Sequence, residues 1–204
     1  MPKDTFINLK PPKKEKLMQA MTKELGIHTF EHISIANIVR DADIPRGSFY
    51  QYFENKEDLY QYYFAHIANL KMAYFKDIFT GESLSFFERI ESLFKQGMVF
   101  KRAYPELVLV AKKMFESDYY KDLLKKGGWE NKVSDTYKAW IMNDQAKGII
   151  RASIDPQMLA ELIHEMTSSI SVDSFIYEKY DESVWEHKLE EMLDILKKGI
   201  LNHV

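Results

Sequence analysis

Apolar residues recur every three or four positions along most of the chain, which is the spacing of one face of an α-helix. The first such stripe, Leu17, Met21 and Leu25, follows a Pro11-Pro12 pair that suits the opening turn of a helix. Gly26 is predicted to end this helix as its C′ residue. No segment alternates polar and apolar residues convincingly, so the sequence predicts an all-α protein.

Two short helices are predicted next. Ser34 can cap the first of them, which ends near Asp41. The segment Ala42-Asp43-Ile44 reads as a three-residue turn, in which Asp43 tolerates a left-handed backbone better than most residues. The second short helix then starts at Pro45 and reaches about Tyr52.

A long helix is predicted after these, with Asn55 as its cap. Its apolar stripe continues to Ile78, over more than five turns, until Gly81 interrupts it. Further helices are predicted at about 84–102, 105–117, 118–126, 129–147, 155–178 and 182–201. This order of elements predicts a helix-turn-helix head, residues 1–55, joined by the long helix to a larger helical body, residues 56–204.

The composition is that of an ordinary globular protein, and it also indicates the cellular compartment. It is 46% hydrophobic and 29% charged, and it contains no cysteine. The N-terminal residues lack the apolar core of a signal peptide, and no apolar run approaches the ~18 residues of a membrane span. These features predict a cytoplasmic protein that does not enter the membrane.

The sequence contains no pattern that predicts catalysis. The six histidines form no His-Glu-x-x-His metal-ligand motif. Nucleophile-elbow, Walker and dinucleotide-binding motifs do not occur. We therefore expect no enzymatic activity, no catalytic residue, no metal and no cofactor.

Two short helices joined by a three-residue turn form a helix-turn-helix, whose second helix enters the major groove in DNA-binding proteins. Arginine, serine and tyrosine in that helix can reach bases or phosphates, and its glycine allows the backbone to approach a phosphate. The net charge is −3, so any positive surface must come from the placement of these residues. The candidate DNA-binding residues are Ser34, Arg46, Gly47, Ser48, Tyr50, Tyr52 and Lys56.

The segment from residue 14 to residue 60 resembles the N-terminal head of TetR-family transcriptional regulators. The resemblance is carried by Gly47-x-x-Tyr50-x-Tyr52-Phe53-x-x-Lys56 and by the preceding Ala42-Asp43-Ile44-Pro45. It implies a homodimer that binds double-stranded operator DNA and releases it when a small molecule binds the C-terminal body. The family more often has glycine at the position of Asp43, which we expect to point away from phosphate.

Some head residues have two interpretations. The ring of Tyr52 serves equally well as core or as a DNA contact, whereas Phe49 and Phe53 are assigned to packing. Lys10, Lys13 and Lys14 form either a solvated tail or an arm that follows the phosphate backbone.

Two long C-terminal helices suit a dimer interface. On the first, Leu159, Ile163, Met166 and Ile170 form one apolar face, and the opposite side carries the small or neutral residues Ala160, His164, Ser168 and Ser171. On the second, a wide stripe comprises Trp185, Leu189, Met192, Leu193 and Leu196. A helix with few charges on either face is usually buried on both sides, which predicts a partner subunit on the small-residue side.

The region 94–141 is rich in methionine and aromatic residues, which adapt to varied ligands. Because the resemblance implies an effector pocket, this composition favours a small apolar or aromatic effector. The candidate ligand-binding residues are Met98, Tyr137, Trp140 and Met166. Asp173, on the same helical face as Met166, either selects a cationic effector or lies in water.

The sequence thus predicts a TetR-like DNA-binding regulator, a repressor released from a palindromic operator by its effector. The alternative is a helical protein-interaction module that keeps the head without binding DNA. Arg46, Tyr50 and Lys56 favour the first, because they suit phosphate better than packing.

Overall fold

The computed structural model describes residues 2–81, 83–127, 129–179 and 181–200. These residues form α-helices and connecting segments with no β-strand, which confirms the all-α prediction. The helices are α1 (Asp4–Ile7), α2 (Pro11–Ile27), α3 (Ile35–Asp41), α4 (Arg46–Tyr52), α5 (Lys56–Tyr74), α6 (Lys76–Thr80), α7 (Phe86–Ala103), α8 (Pro105–Glu116), α9 (Asp118–Gly127), α10 (Trp129–Ala146), α11 (Pro156–Ser171) and α12 (Glu182–Ile200). A 3₁₀ turn spans Phe30–His32, and α11 continues into a π-helical turn, Val172–Ile176.

The helices pack into two compact units. Unit 1 comprises Met1–Lys76 and Lys101–Asp122, and unit 2 comprises Asp77–Phe100 and Leu123–Val204. Unit 1 therefore contains the predicted head, α5, α8 and the start of α9. The functional boundary between residues 55 and 56 stays a prediction.

The helix-turn-helix forms as the sequence indicates. The Ser34 hydroxyl accepts a hydrogen bond from the N–H of Asn37 and caps α3. At the other end of α3, Ile44 N–H donates to Val39 O and Asp43 N–H donates to Arg40 O, each at 3.0 Å. This is a Schellman motif with Asp43 at the C′ position, where its φ is 54°.

Gly26 lies inside α2, so its predicted role as a C′ residue is wrong. The helix ends at Ile27, and His28 follows with an extended backbone, φ −120° and ψ 143°. A Cβ at position 26 would lie 3.4 Å from the Cβ of Leu109 on α8. The glycine thus allows α2 and α8 to approach closely, a long-range contact that local sequence does not reveal.

The long fourth helix is shorter than predicted. Asn55 caps α5 as expected, accepting from the N–H of Asp58 at 2.8 Å. The helix ends at Tyr74, where Phe75 leaves the helical conformation, and the predicted stripe residue Ile78 belongs to α6. The prediction of one continuous helix through Ile78 is therefore wrong.

A further helix that the sequence did not suggest, α1, packs beneath α4. The Phe6 side chain is 0% exposed and contacts three rings of the head, at centroid distances of 6.2 Å to Tyr52, 4.9 Å to Phe53 and 4.9 Å to Tyr62. The N-terminal residues are thereby part of the core of unit 1.

Unit 2 has one apolar core, built from α7, α10, α11 and α12. Its fully enclosed members include Phe86, Ile141 and Ile163. The buried Asp144 carboxylate on α10 accepts from the N–H of Phe86 at 2.7 Å and so fixes the start of α7. The predicted stripe of α12 faces this core, as Trp185, Leu189, Met192 and Leu193 are all buried.

Ala160 belongs to the same core and is fully buried, so its predicted place on a partner-facing side of α11 is wrong. The large apolar side chains of α11 that are exposed are Met158 and Leu162, and Ser168 of the predicted face is exposed too. On α12, Val184 and Ile195 are exposed large apolar residues. The exposed apolar surface of these two helices differs from the predicted small-residue face.

We expect Phe6→Ala to lower the free energy of unfolding by about 3–5 kcal/mol, because it leaves a cavity among three rings. Ile7→Ala is the matched control, since Ile7 is 55% exposed on the same helix and its truncation should cost less than about 0.5 kcal/mol. Urea unfolding followed by circular dichroism measures both. Equal effects of the two substitutions would contradict the role of α1 in the core.

Candidate nucleic-acid interface and effector region

The outer face of α4 carries the predicted DNA contacts. Arg46, Gly47 and Tyr50 are exposed, the Tyr50 side chain by 47%, while Phe49 is buried on the opposite face. A Cβ added at Gly47 would meet no protein atom within 4 Å, so the backbone there is open to a ligand. Ser48 is half-buried, and its N–H donates to Pro45 O. This face can present a cation, a hydroxyl and an accessible backbone to a nucleic acid.

Tyr52 lies on the inner face. It is 4% exposed and makes an edge-to-face contact with Phe6. Its ring therefore packs in the core, which is one of the two roles considered for it from sequence. A DNA contact through its hydroxyl stays a prediction.

The C-terminal carbonyls of α4 are all satisfied by the N-terminal segment. The backbone N–H of Lys3 donates to Tyr52 O at 2.9 Å, and the Lys3 ammonium donates to Tyr50 O at 2.9 Å. The Thr5 hydroxyl donates to Gln51 O. The last carbonyls of a helix lack partners within the helix, so these three contacts stabilise the end of a helix only seven residues long.

The N-terminal lysines belong to a folded segment and not to a solvated tail, and a contact with the phosphate backbone stays a prediction. Lys10 precedes α2, and Lys13 and Lys14 lie within its first turn. The Lys13 ammonium is 5.7 Å from the ring centroid of Tyr52, and that of Lys14 is 5.1 Å from that of Phe6. These lysines pack over aromatic rings of the head, a placement that depends on the unanticipated α1.

The start of α3 is held by a buried acid that sequence reasoning missed. Glu24 on α2 accepts from the N–H of Ser34 at 2.7 Å and from the Asn37 amide at 3.2 Å. The Ser34 hydroxyl is the acceptor of the α3 cap, so any phosphate contact of Ser34 uses its O–H as donor. The sequence did contain a signal for this contact, because Glu24 lies one turn before the end of α2 on the apolar side of the helix.

The Lys56 ammonium at the start of α5 is oriented by backbone carbonyls. It donates to Phe30 O at 3.2 Å and Glu31 O at 3.4 Å, and it lies 4.5 Å from the ring centroid of Phe30. An ammonium has three N–H donors, so two of them position the group and the third can serve a phosphate.

Glu31 joins the 3₁₀ turn to the junction of α8 and α9. Its carboxylate accepts from the Ser117 hydroxyl at 2.9 Å and from the Tyr119 N–H at 3.2 Å. Partial burial raises the pKa of the Glu31 carboxyl, but hydrogen bonds from its own N–H, from Thr29, from Tyr119 and from Ser117 outweigh this and lower that pKa to about 2. The charged form of Glu31 is therefore the one that this junction holds.

Aromatic packing reinforces the same junction. The rings of Phe30 and Tyr119 stack at 3.8 Å, and Tyr60 on α5 contacts both edge-on. Gln61 on α5 donates to the Tyr119 hydroxyl at 3.0 Å. Within unit 1, the residues around Lys56 are thus connected to the start of α9 by a continuous set of contacts.

The candidate effector residues all belong to the core of unit 2. Met98 and Tyr137 are buried, and Trp140 and Met166 pack partly buried against the same cluster. Tyr137 stacks on Trp140 at 5.7 Å, and its other edge meets His164 at 6.2 Å. Their proximity agrees with a common apolar region, and their role in binding an effector stays a prediction.

Two charged groups near this region have hydrogen-bond partners. The Arg89 guanidinium is buried, lies 5.0 Å from the Trp140 ring and donates to the carbonyls of Ile78, Gly81 and Leu84. The Asp173 carboxylate, considered from sequence as a selector of cations, accepts from Lys179 at 2.6 Å. Its charge is therefore balanced by a neighbouring lysine, which favours the alternative that it has no role in effector selection.

Known proteins with similar sequences and folds are regulators of transcription. Residues 17–63 match the family model described as bacterial regulatory proteins, tetR family. An uncharacterized HTH-type transcriptional regulator of Haemophilus influenzae is 21% identical over 139 residues, which is 67% of this chain and 74% of that protein.

Two solved structures illustrate the likeness in fold. A TetR family transcriptional regulator from Chloroflexus aurantiacus superposes with a TM-score of 0.71 at 22% identity, covering 100% of both chains. FadR from Bacillus subtilis, in complex with stearoyl-CoA, gives a TM-score of 0.66 at 15% identity, over 86% of this chain and 95% of that chain. The family match is confined to residues 17–63, where the helix-turn-helix lies, and the chain as a whole shares the fold of TetR-family regulators.

Gly47→Ala should raise stability and weaken DNA binding at once. An alanine in a helix is about 0.5–1 kcal/mol more favourable than a glycine, and here its Cβ meets no protein atom. The same Cβ would stand between the α4 backbone and a phosphate. Thermal unfolding and DNA titration of the variant measure both effects, and undiminished DNA affinity would contradict a close backbone approach at Gly47.

Glu31→Gln should remove a pH-dependent part of the stability of unit 1. Because the folded pKa of about 2 lies below the ordinary value of 4.5, the contribution of Glu31 is complete above pH 4.5 and is lost as the pH falls toward 2. The stability difference between wild type and variant should therefore shrink across that interval. Glu54→Gln, which removes an exposed carboxylate of unit 1, is the control and should show no such convergence; a constant difference for Glu31→Gln would refute the assignment.

Proposed function

We propose that this protein is a transcriptional regulator of the TetR family. It would act as a cytoplasmic repressor that binds a palindromic operator as a homodimer and releases it when a small apolar or aromatic molecule binds unit 2. The observation that carries the proposal is the outer face of α4, where Arg46, Gly47 and Tyr50 are exposed together on a helix fixed from behind. The protein acts by binding and not by catalysis.

The DNA contacts divide into two kinds. Arg46 and Tyr50 project from α4 and can reach base edges or phosphates in the major groove. Ser34, Lys56 and the backbone at Gly47 are suited to phosphate, which fixes the position of α4 without selecting sequence. Both kinds require a rigid α4, and Phe6, Lys3 and Thr5 support it.

A homodimer accounts for the exposed apolar residues of the last two helices. Met158 and Leu162 are exposed on α11, and Val184 and Ile195 on α12. Apolar side chains concentrated on neighbouring elements are typical of an interface with another protein. A two-fold pair would present two copies of α4 to successive major grooves, about 34–36 Å apart, and so select a palindromic site.

An apolar effector fits the region around Tyr137 and Trp140. Met98 and Met166 belong to the same cluster, and methionine side chains can rearrange around ligands of varied shape. The Bacillus subtilis FadR that shares the fold is in complex with stearoyl-CoA, a molecule with a long apolar chain. By analogy, we favour an effector whose larger part is apolar.

Release follows from a population shift. An effector lowers DNA affinity only as far as it binds the DNA-incompetent conformation more tightly than the competent one. In a dimer, a change in the spacing of the two α4 helices is sufficient, because both must fit adjacent grooves. Repression is the simplest output, since the operator is occupied until the effector is present.

Selection from a random duplex library with the full chain should enrich a palindrome. Fluorescence anisotropy on that duplex should then show affinity falling by about a thousandfold or more between about 50 and 200 mM salt, as phosphate contacts release counterions. Arg46→Ala should weaken binding by about tenfold or more. The control Lys125→Ala removes an exposed cation of unit 2 and should leave the affinity unchanged.

The competing interaction module makes the opposite prediction. A folded dimer that enriches no duplex, or an Arg46→Ala variant that binds as well as wild type, would favour the module.

The selected duplex also serves to identify the effector. Compounds with long apolar chains or fused aromatic rings should displace the protein from it, and displacement only by small polar solutes would contradict an apolar effector.

A further inference from the structure

Unit 1 contains a groove that neither the DNA-reading surface nor the effector region uses. It lies between α2, α5 and α8 and has a volume of about 720 Å³, within the range of sites that hold drug-sized molecules. All of its lining residues belong to unit 1. It runs beside Gly26, where a Cβ would lie 3.4 Å from Leu109 on α8.

The groove is lined mainly by apolar side chains, and two of them are exposed to solvent. Ile27 is 54% exposed and Leu109 is 57% exposed, one on each side of the groove. Met18 on α2 and Leu70 on α5 continue the apolar lining. Large apolar side chains left open around a concave surface are typical of a binding site.

Two carboxylates give the groove a negative charge. Glu15 on α2 and Glu106 on α8 both line it, and both are exposed. The one lysine of the lining, Lys23, donates to Asp41 at 2.6 Å, a carboxylate that also accepts from Arg40, so the two glutamates outnumber the cation of the lining. Burial, and then the positive charge of Lys14, lower the pKa of His66, which keeps this lining residue uncharged at neutral pH.

Two tyrosines belong to the lining, of which Tyr104 is half-buried and Tyr63 is only 1% exposed. Tyr63 and Tyr104 line the groove from α5 and from the start of α8. The Tyr63 hydroxyl is 2.6 Å from that of Thr22, which fixes the ring. Burial raises the pKa of Tyr63, and the negative charge of Glu106 raises it further, so that it reaches about 12 despite the hydrogen bond with Thr22. The negative charge of the Glu106 carboxylate is therefore felt at the part of the groove where Tyr63 lies.

We propose that this groove binds a lipophilic organic cation, with its apolar body on Ile27 and Leu109 and its charge beside Glu15 and Glu106. The charge balance selects this class, because an anion would face two carboxylates and a neutral molecule would leave them without a counter-charge. Cation–π attraction to the half-buried ring of Tyr104 favours the same class. The site lies in the DNA-binding unit, is separate from the effector region of unit 2, and does not depend on repression or on DNA binding.

The test uses two ions of nearly equal size and opposite charge, tetraphenylphosphonium and tetraphenylborate. Isothermal titration of the full-length protein at pH 7 should show one site per chain for the cation and at least about tenfold weaker binding of the anion. The double variant Glu15→Gln with Glu106→Gln should lose at least about tenfold in affinity for the cation. Both positions are exposed, so the variant retains its core.

Two further variants locate the site. Gln19→Trp places a large ring in the groove from an exposed position of α2 and should abolish cation binding. Asp122→Asn with Asp135→Asn removes the same number of charges from exposed positions outside the groove and should leave binding unchanged. Circular dichroism establishes that each variant is folded.

Three results would overturn the proposal. Equal binding of the two ions would show that charge plays no part in selection. Equal binding of the cation to wild type and to the groove variants would place it elsewhere on the protein. Absence of cation binding to the wild type would exclude this ligand class, also if the cause is that the assembled protein covers the groove. DNA binding is measured separately and does not depend on that outcome.

Discussion

The recognition helix α4 has only seven residues, and isolated helices shorter than about 12–15 residues are marginal in water. Its conformation therefore depends on contacts from outside. Phe49 and Tyr52 anchor one face, and the segment from Lys3 to Phe6 supplies both an aromatic floor and donors for the last three carbonyls. The open face that carries Arg46 and Tyr50 exists because the other face and the C-terminal end are occupied.

Elements with local signals could be predicted from the sequence. Ser34 and Asn55 cap helices because their side chains accept from an N–H three residues later, and Asp43 adopts the left-handed conformation required by the turn. The exposed positions on α4, Arg46, Gly47 and Tyr50, are also ones that this local pattern singled out. The family match over residues 17–63 coincides with this part of the chain.

Features that depend on distant partners could not be predicted. Gly26 looks like a helix terminator until Leu109, more than eighty residues later, packs against it. Helix α1 has four residues and no periodicity, so only the rings of Tyr52, Phe53 and Tyr62 explain why Phe6 is buried. For the same reason, a methionine- and aromatic-rich sequence indicates an apolar cluster in unit 2 but does not distinguish a filled core from a pocket.

The division of unit 1 into two chain segments has a consequence for biosynthesis. Residues 101–122 complete a unit whose first 76 residues leave the ribosome earlier, and residues 77–100, which belong to unit 2, are made in between. At about 5–20 residues per second, the nascent head waits several seconds for α8. During that interval the face of α2 around Gly26 has no partner from its own chain. The completion of unit 1 is thus interleaved with the synthesis of unit 2.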